Sequence, residues 1–102
     1  MSGATLTRTD AGLRLTGGLR LETVRSLADQ AEALLPAEGT VTLDLDTVAG
    51  TDSAGVALLL DWLRMQRRHG GDLVFVNMPE QLRAIARVSG VDGLLAGAPD
   101  TQ

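Results

Sequence analysis

The run from Thr40 to His69, TVTLDLDTVAGTDSAGVALLLDWLRMQRRH, carries two different hydrophobic periods joined end to end. Val41, Leu43 and Leu45 alternate with Thr42, Asp44 and Asp46, the period of a strand with one face more buried than the other. Asp52, Ser53, Ala54 and Gly55 interrupt that pattern, and apolar residues then resume at helical spacing. Asp52 or Ser53 can accept hydrogen bonds from the free N–H groups of a first helical turn, so either suits the N-cap. The segment therefore predicts a strand, a short turn and a long helix, with the Ser53 hydroxyl at the electropositive helix end. In open α/β sheets ligands gather at the carboxyl ends of strands, and this hydroxyl falls there.

The rest of the chain supplies partners for this unit. TLTR (Thr5–Arg8) and GLRLT (Gly12–Thr16) flank the turn residues Asp10, Ala11 and Gly12, which predicts a β-hairpin. Gly17 and Gly18 are expected to break its second strand. From Glu22 to Leu35 the apolar residues Val24, Leu27, Ala28, Ala31, Leu34 and Leu35 line one helical face, and Pro36 with Gly39 ends it. Gly70 and Gly71 stop the central helix. Leu73 to Val76 then reads as a strand covered on both faces, parallel to the central strand because a helix joins the two. Pro79 suits the first turn of a third helix, in which Leu82, Ile85 and Ala86 are buried and which Gly90 ends. Val91 to Leu95 is expected to form a last short strand or turn, and Ala96 to Gln102 a loose tail. The expectation is one α/β domain with its core at about residues 5–95, a mixed β-sheet and helices packed mainly on one face.

Composition removes several classes of function. A chain of 102 residues holds one domain. A net charge of −4 and a pI near 4.7 argue against a general nucleic-acid binder, whose surface must neutralise phosphates. The absence of cysteine excludes a disulfide framework and a thiolate nucleophile. Without lysine there is no phosphate-cradling glycine loop of the usual kind. The single histidine, His69, falls at a helix end, where it suits the carbonyl terminus rather than a nucleophile–base pair. Asp44, Asp46 and Asp52 are oxygen donors around one turn. Val48 stands at the third ligand position of a calcium loop, so strand-edge polarity and a helix cap account for these carboxylates. No catalytic residue, metal or cofactor is expected. The first ten residues lack the apolar core of a signal peptide, and no apolar run approaches the roughly 20 residues of a spanning helix. The expected location is cytoplasmic, with any membrane role coming through a partner.

Two features point to binding. Ser53 either caps the helix, contributing about 1 kcal/mol, or is a contact or phosphorylation point at a helix end that favours negative charge. The central helix bears one apolar stripe, Val56, Leu59, Leu60 and Leu63, and a second, Leu58, Trp62 and Met65. Together they span an arc of about 200°, wider than one sheet requires. The second stripe is covered either by a neighbouring helix or by another protein. Its Trp and Met suit an interface, which favours the partner. Arg64, Arg67, Arg68, Arg83 and Arg87 form either a docking patch or a solvated face, the commoner case.

From Thr40 to Leu95 the chain resembles the STAS domain family, the sulfate-transporter and anti-sigma-factor-antagonist domain. The resemblance lies in a strand, the Asp52-Ser53-Ala54-Gly55 turn, a long apolar helix, the Gly-flanked strand LVFV and a helix ending near Leu94-Leu95. The run Asp52 to Leu60 is most similar to the stand-alone STAS subunit of the Mla phospholipid-transport ABC complex. That branch implies a non-catalytic cytoplasmic subunit that binds and supports the ATPase subunit, held at the inner membrane through it, in a system maintaining outer-membrane lipid asymmetry. Asp52, Ser53, Leu58, Trp62 and Met65 would then form the partner surface. The alternative branch, the anti-sigma factor antagonist, implies phosphorylation of Ser53 by an anti-sigma factor kinase. It often has a second Ser where Ala54 stands here.

Overall fold

The longest strand of the sheet is β2 (Gly12–Leu19), and it pairs with three others in the computed structural model, which describes residues 3–98. β1 (Ala4–Arg8) runs antiparallel to it, from Ala4 opposite Gly17 to Arg8 opposite Leu13. On its other side β2 pairs in parallel first with β3 (Thr40–Asp44) and then with β4 (Val48–Thr51). The register shifts between Gly17 and Gly18. The two glycines therefore mark a bulge within a continuing strand rather than the expected strand end. Gly17 has φ +101°, and a Cβ there would collide with the Gly3 carbonyl.

Helix α1 (Leu21–Leu34) follows β2, α2 (Ser53–Arg68) follows β4, and α3 (Glu80–Val88) follows β5 (Asp72–Val76). β5 closes the sheet in parallel with β3, Val41 lying opposite Leu73 and Leu43 opposite Phe75. The expected parallel neighbours are thus present, with β4 as an additional strand. Val91–Leu95 is not a strand; residues Asp92–Leu95 form the short helix α4. Ala96 to Ala98 continue in ordered hydrogen bonds, with Ala98 N–H to the Gly93 carbonyl and Arg67 Nη1 to the Ala98 carbonyl at 3.0 Å. The remainder of the expected tail lies outside the described residues.

The core forms between the sheet and the helices on one of its faces. Ala4, Leu6, Leu13, Leu15, Val41, Leu43 and Leu73 are buried, and they meet Leu27, Leu59, Leu63, Leu82 and Leu95 from the helices. Alternate positions Thr5, Thr7, Arg14 and Thr16 stay exposed on the other face. Val74 is 43% exposed, so β5 is an edge strand covered on one face, not on both as expected. At the opposite edge, the Gln30 side chain stands in for a further strand. Its Oε1 accepts from Leu6 N–H at 2.8 Å, and its Nε2 donates to the Ala4 carbonyl at 3.3 Å. An edge satisfied this way offers less to another chain.

Candidate functional site

α2 is the central helix, and its capping divides labour between Asp52 and Ser53. Asp52 has extended backbone angles, and its Oδ1 accepts from Gly55 N–H at 3.1 Å, so Asp52 is the N-cap. Ser53 is the first helical residue and is exposed. The Asp52 carboxylate also reaches the preceding helix, where Oδ2 accepts from Leu21 N–H at 3.1 Å. That contact is the main cause of a pKa below the ordinary carboxylate value. Burial opposes it, while the Gly55 and Ala54 N–H groups and the charge of Arg20 act with it. The carboxylate is thus held ionised between two helix N-termini, each carrying partial positive charge.

Gly55 explains the end of the tetrapeptide. A Cβ on it would run into the Leu19 carbonyl and crowd the Leu19 side chain and the Thr51 hydroxyl. The first turn of α2 therefore lies directly on the end of β2. Thr51 Oγ1 donates to the same Leu19 carbonyl at 2.8 Å, and Thr51 N–H donates to Gln81 Oε1 at 3.2 Å. The first turns of α1, α2 and α3 all meet at this carboxyl end of the sheet, with Ser53 on the surface.

Around the helix, burial follows the apolar arc almost throughout. Val56, Leu59 and Leu63 are buried, and Leu58 and Trp62 are only 7% and 3% exposed. The expectation that Leu58 and Trp62 face a partner is therefore corrected: both belong to the protein's own core. The reason is the position of α1. Met65, on the same side of α2, lines a groove with Ala31 of α1 and Leu35 just past its end, so α1 packs along the second stripe. Met65 alone stands at the edge of the arc, 40% exposed. The outward ridge of α2 is instead Ser53, Ala57, Asp61, Arg64 and Arg68. Beside its upper end sits Leu21, 70% exposed, with Arg20 next to it. Sequence reasoning missed Leu21. Its spacing of seven from Ala28 places it in the buried stripe of α1, but the first turn projects beyond that packing.

The three carboxylates considered for a metal do not converge. Asp44 accepts from Asp46 N–H at 2.9 Å, Asn77 Nδ2 at 3.1 Å and Arg14 at 3.4 Å, and these donors lower its pKa, the Asp46 N–H most. Among the described residues no group of three His, Asp or Glu side chains is placed to hold a metal ion. His69 ends α2, its Nδ1 2.9 Å from the Met65 carbonyl oxygen, the helix-end position expected from the sequence. Among the described residues no helix is long and apolar enough to cross a membrane.

A five-stranded mixed sheet with helices on one face, and an exposed serine behind an aspartate cap on the central helix, is the STAS architecture. The chain belongs to the STAS domain family: the family model described as "MlaB, STAS domain" matches residues 2–96. The fold is also that of a solved structure, the anti-sigma factor antagonist SpoIIAA in its unphosphorylated form. The two superpose with a TM-score of 0.68 at 21% identity, over 87% of this chain and 82% of the other. No curated protein matches the sequence.

Proposed function

We propose that this domain is the non-catalytic STAS subunit of an Mla-type phospholipid-transport ABC complex, binding and supporting the cytoplasmic ATPase subunit. The observation that carries the reading is the exposed Ser53 at the start of α2, freed from capping by Asp52, in a chain matched over residues 2–96 by the MlaB model. The docking surface runs from Leu21 and Ser53 down the exposed ridge of α2. Met65 lies twelve positions from Ser53, about 18 Å along the helix. Leu21 supplies an apolar anchor with polar residues around it, the composition of an interface centre. Association with the inner membrane is through the ATPase. Co-purification of the native chain tests the proposal: an ABC ATPase subunit should accompany it, and its absence would count against the reading.

A second reading is favoured by the same exposed hydroxyl and by the fold shared with SpoIIAA. A kinase could phosphorylate Ser53, adding about −1.5 to −2 charges beside Asp52 and disturbing the Asp52–Leu21 link. Mass spectrometry of the native chain tests it; an unmodified Ser53 under all growth conditions would remove its basis.

A further inference from the structure

We propose that the cleft at the carboxyl end of β5 is a binding site for a small organic phosphate monoester. The cleft has a volume of about 330 Å3 and opens between the end of β5, α3 and α4, at the low end of the range for small-molecule sites. Its walls combine two chemistries. Phe75, Met78 and Leu95 supply apolar surface, while Arg83 and Arg87 supply two guanidinium groups. The two arginines are four residues apart on α3, hence neighbours on one helix face. Nε of Arg83 lies 3.4 Å from the Met78 carbonyl oxygen, which fixes that side chain against the cleft wall. Among the described residues neither arginine forms an ion pair with a carboxylate.

Planar guanidinium groups recognise phosphate oxygens in bidentate fashion, and a pair of them matches a dianionic phosphoryl group. Asp92 also lines the cleft. Two positive charges against one negative favour a single phosphoryl group over a chain of them. The apolar walls then take the organic body. The cleft shares no residue with the docking ridge of α2, so it stands or falls apart from that proposal.

The test is an amide NMR titration of the full chain with phenyl phosphate, with inorganic phosphate and phenol as the separated halves of the probe. Phenyl phosphate should shift the amides of Phe75, Asn77, Arg83 and Arg87 in a saturable way and bind more tightly than either half. The Arg83→Gln/Arg87→Gln variant, checked for unchanged far-UV circular dichroism, should weaken binding about tenfold or more, while Arg25→Gln on α1 should not. Co-sedimentation with phosphatidic acid vesicles, against phosphatidylcholine vesicles, separates the sources of the group. Selective sedimentation would assign it to a lipid headgroup, and its absence alongside phenyl phosphate binding to a free metabolite. Shifts absent at millimolar phenyl phosphate, or undiminished in the double variant, would overturn the proposal.

Discussion

The main-chain N–H of Leu21 donates to Asp52 Oδ2 across 31 positions of sequence, while Asp52 Oδ1 accepts from Gly55. One carboxylate therefore completes the first turns of both α1 and α2. It sets the two helix starts side by side and leaves Leu21 and Ser53 exposed next to each other. The proposed docking surface depends on that link.

Asp52→Asn separates the two duties of this residue. Asparagine is as good an N-cap as aspartate, but it has one acceptor oxygen, and its NH2 group would face the second N–H. Loss of that bond should cost about 1 kcal/mol, lowering the melting temperature by roughly 4–8 °C in a domain this size. Asp52→Ala should cost more, because both contacts go. Thermal unfolding of the two variants checks the order; an Asp52→Asn protein as stable as the parent would show that only the α2 cap matters.

Acid should destabilise the fold through three aspartates. Asp52 is lowered chiefly by Leu21 N–H, and Asp44 chiefly by Asp46 N–H. At Asp72 burial pushes the pKa up, but Arg67 and the Leu73 N–H outweigh it. In each case the unfolded chain binds a proton more readily than the folded one. Their contribution is therefore complete above the unfolded value, near 4, and is lost as the pH falls through the lower folded values. Urea midpoints should be flat from neutral pH to about 5 and then drop, with a shallower drop in Asp52→Asn. A midpoint that rose on acidification would contradict this.

Trp62 is the only tryptophan, so its burial can be read directly. Native fluorescence should be blue-shifted and poorly quenched by acrylamide, and Trp62→Ala should destabilise by about 3–5 kcal/mol. Emission at the wavelength of free indole in the folded state would contradict the packing of α1 over α2.

Gln30→Leu keeps the volume and removes the groups that close the edge of β1. Leu6 N–H and the Ala4 carbonyl lose that partner, which should cost about 1–2 kcal/mol. The opened edge should also raise self-association, visible by light scattering at high concentration. Unchanged stability and an unchanged monomer fraction would show that water replaces the amide fully.

The strand-to-helix switch at Asp52 and the one-sided burial of β1 to β3 were legible because both are periodic in sequence, whereas the unbroken apolar run LVFV hid the exposed face of β5. The width of the apolar arc on α2 was legible too, but not what covers it. Coverage depends on where α1 lies, and that position rests on the long-range Leu21–Asp52 contact, which leaves no local pattern. β4 escaped notice because VAGT has no alternation and pairs through backbone with the glycine bulge of β2. α4 is four residues long and owes its helical turn to packing by Leu95 rather than to propensity. Gly55 was expected as a turn residue, whereas its necessity is steric and arises from the Leu19 carbonyl.

The most direct test of the docking surface is the affinity of the purified domain for the proposed ABC ATPase partner, compared among the parent chain, Ser53→Arg and Leu21→Arg. Both substitutions are at exposed positions and should leave the melting temperature nearly unchanged. Each should weaken binding by about tenfold or more, about 1.4 kcal/mol. Equal affinity in all three would contradict a partner seated on Ser53 and the α2 ridge.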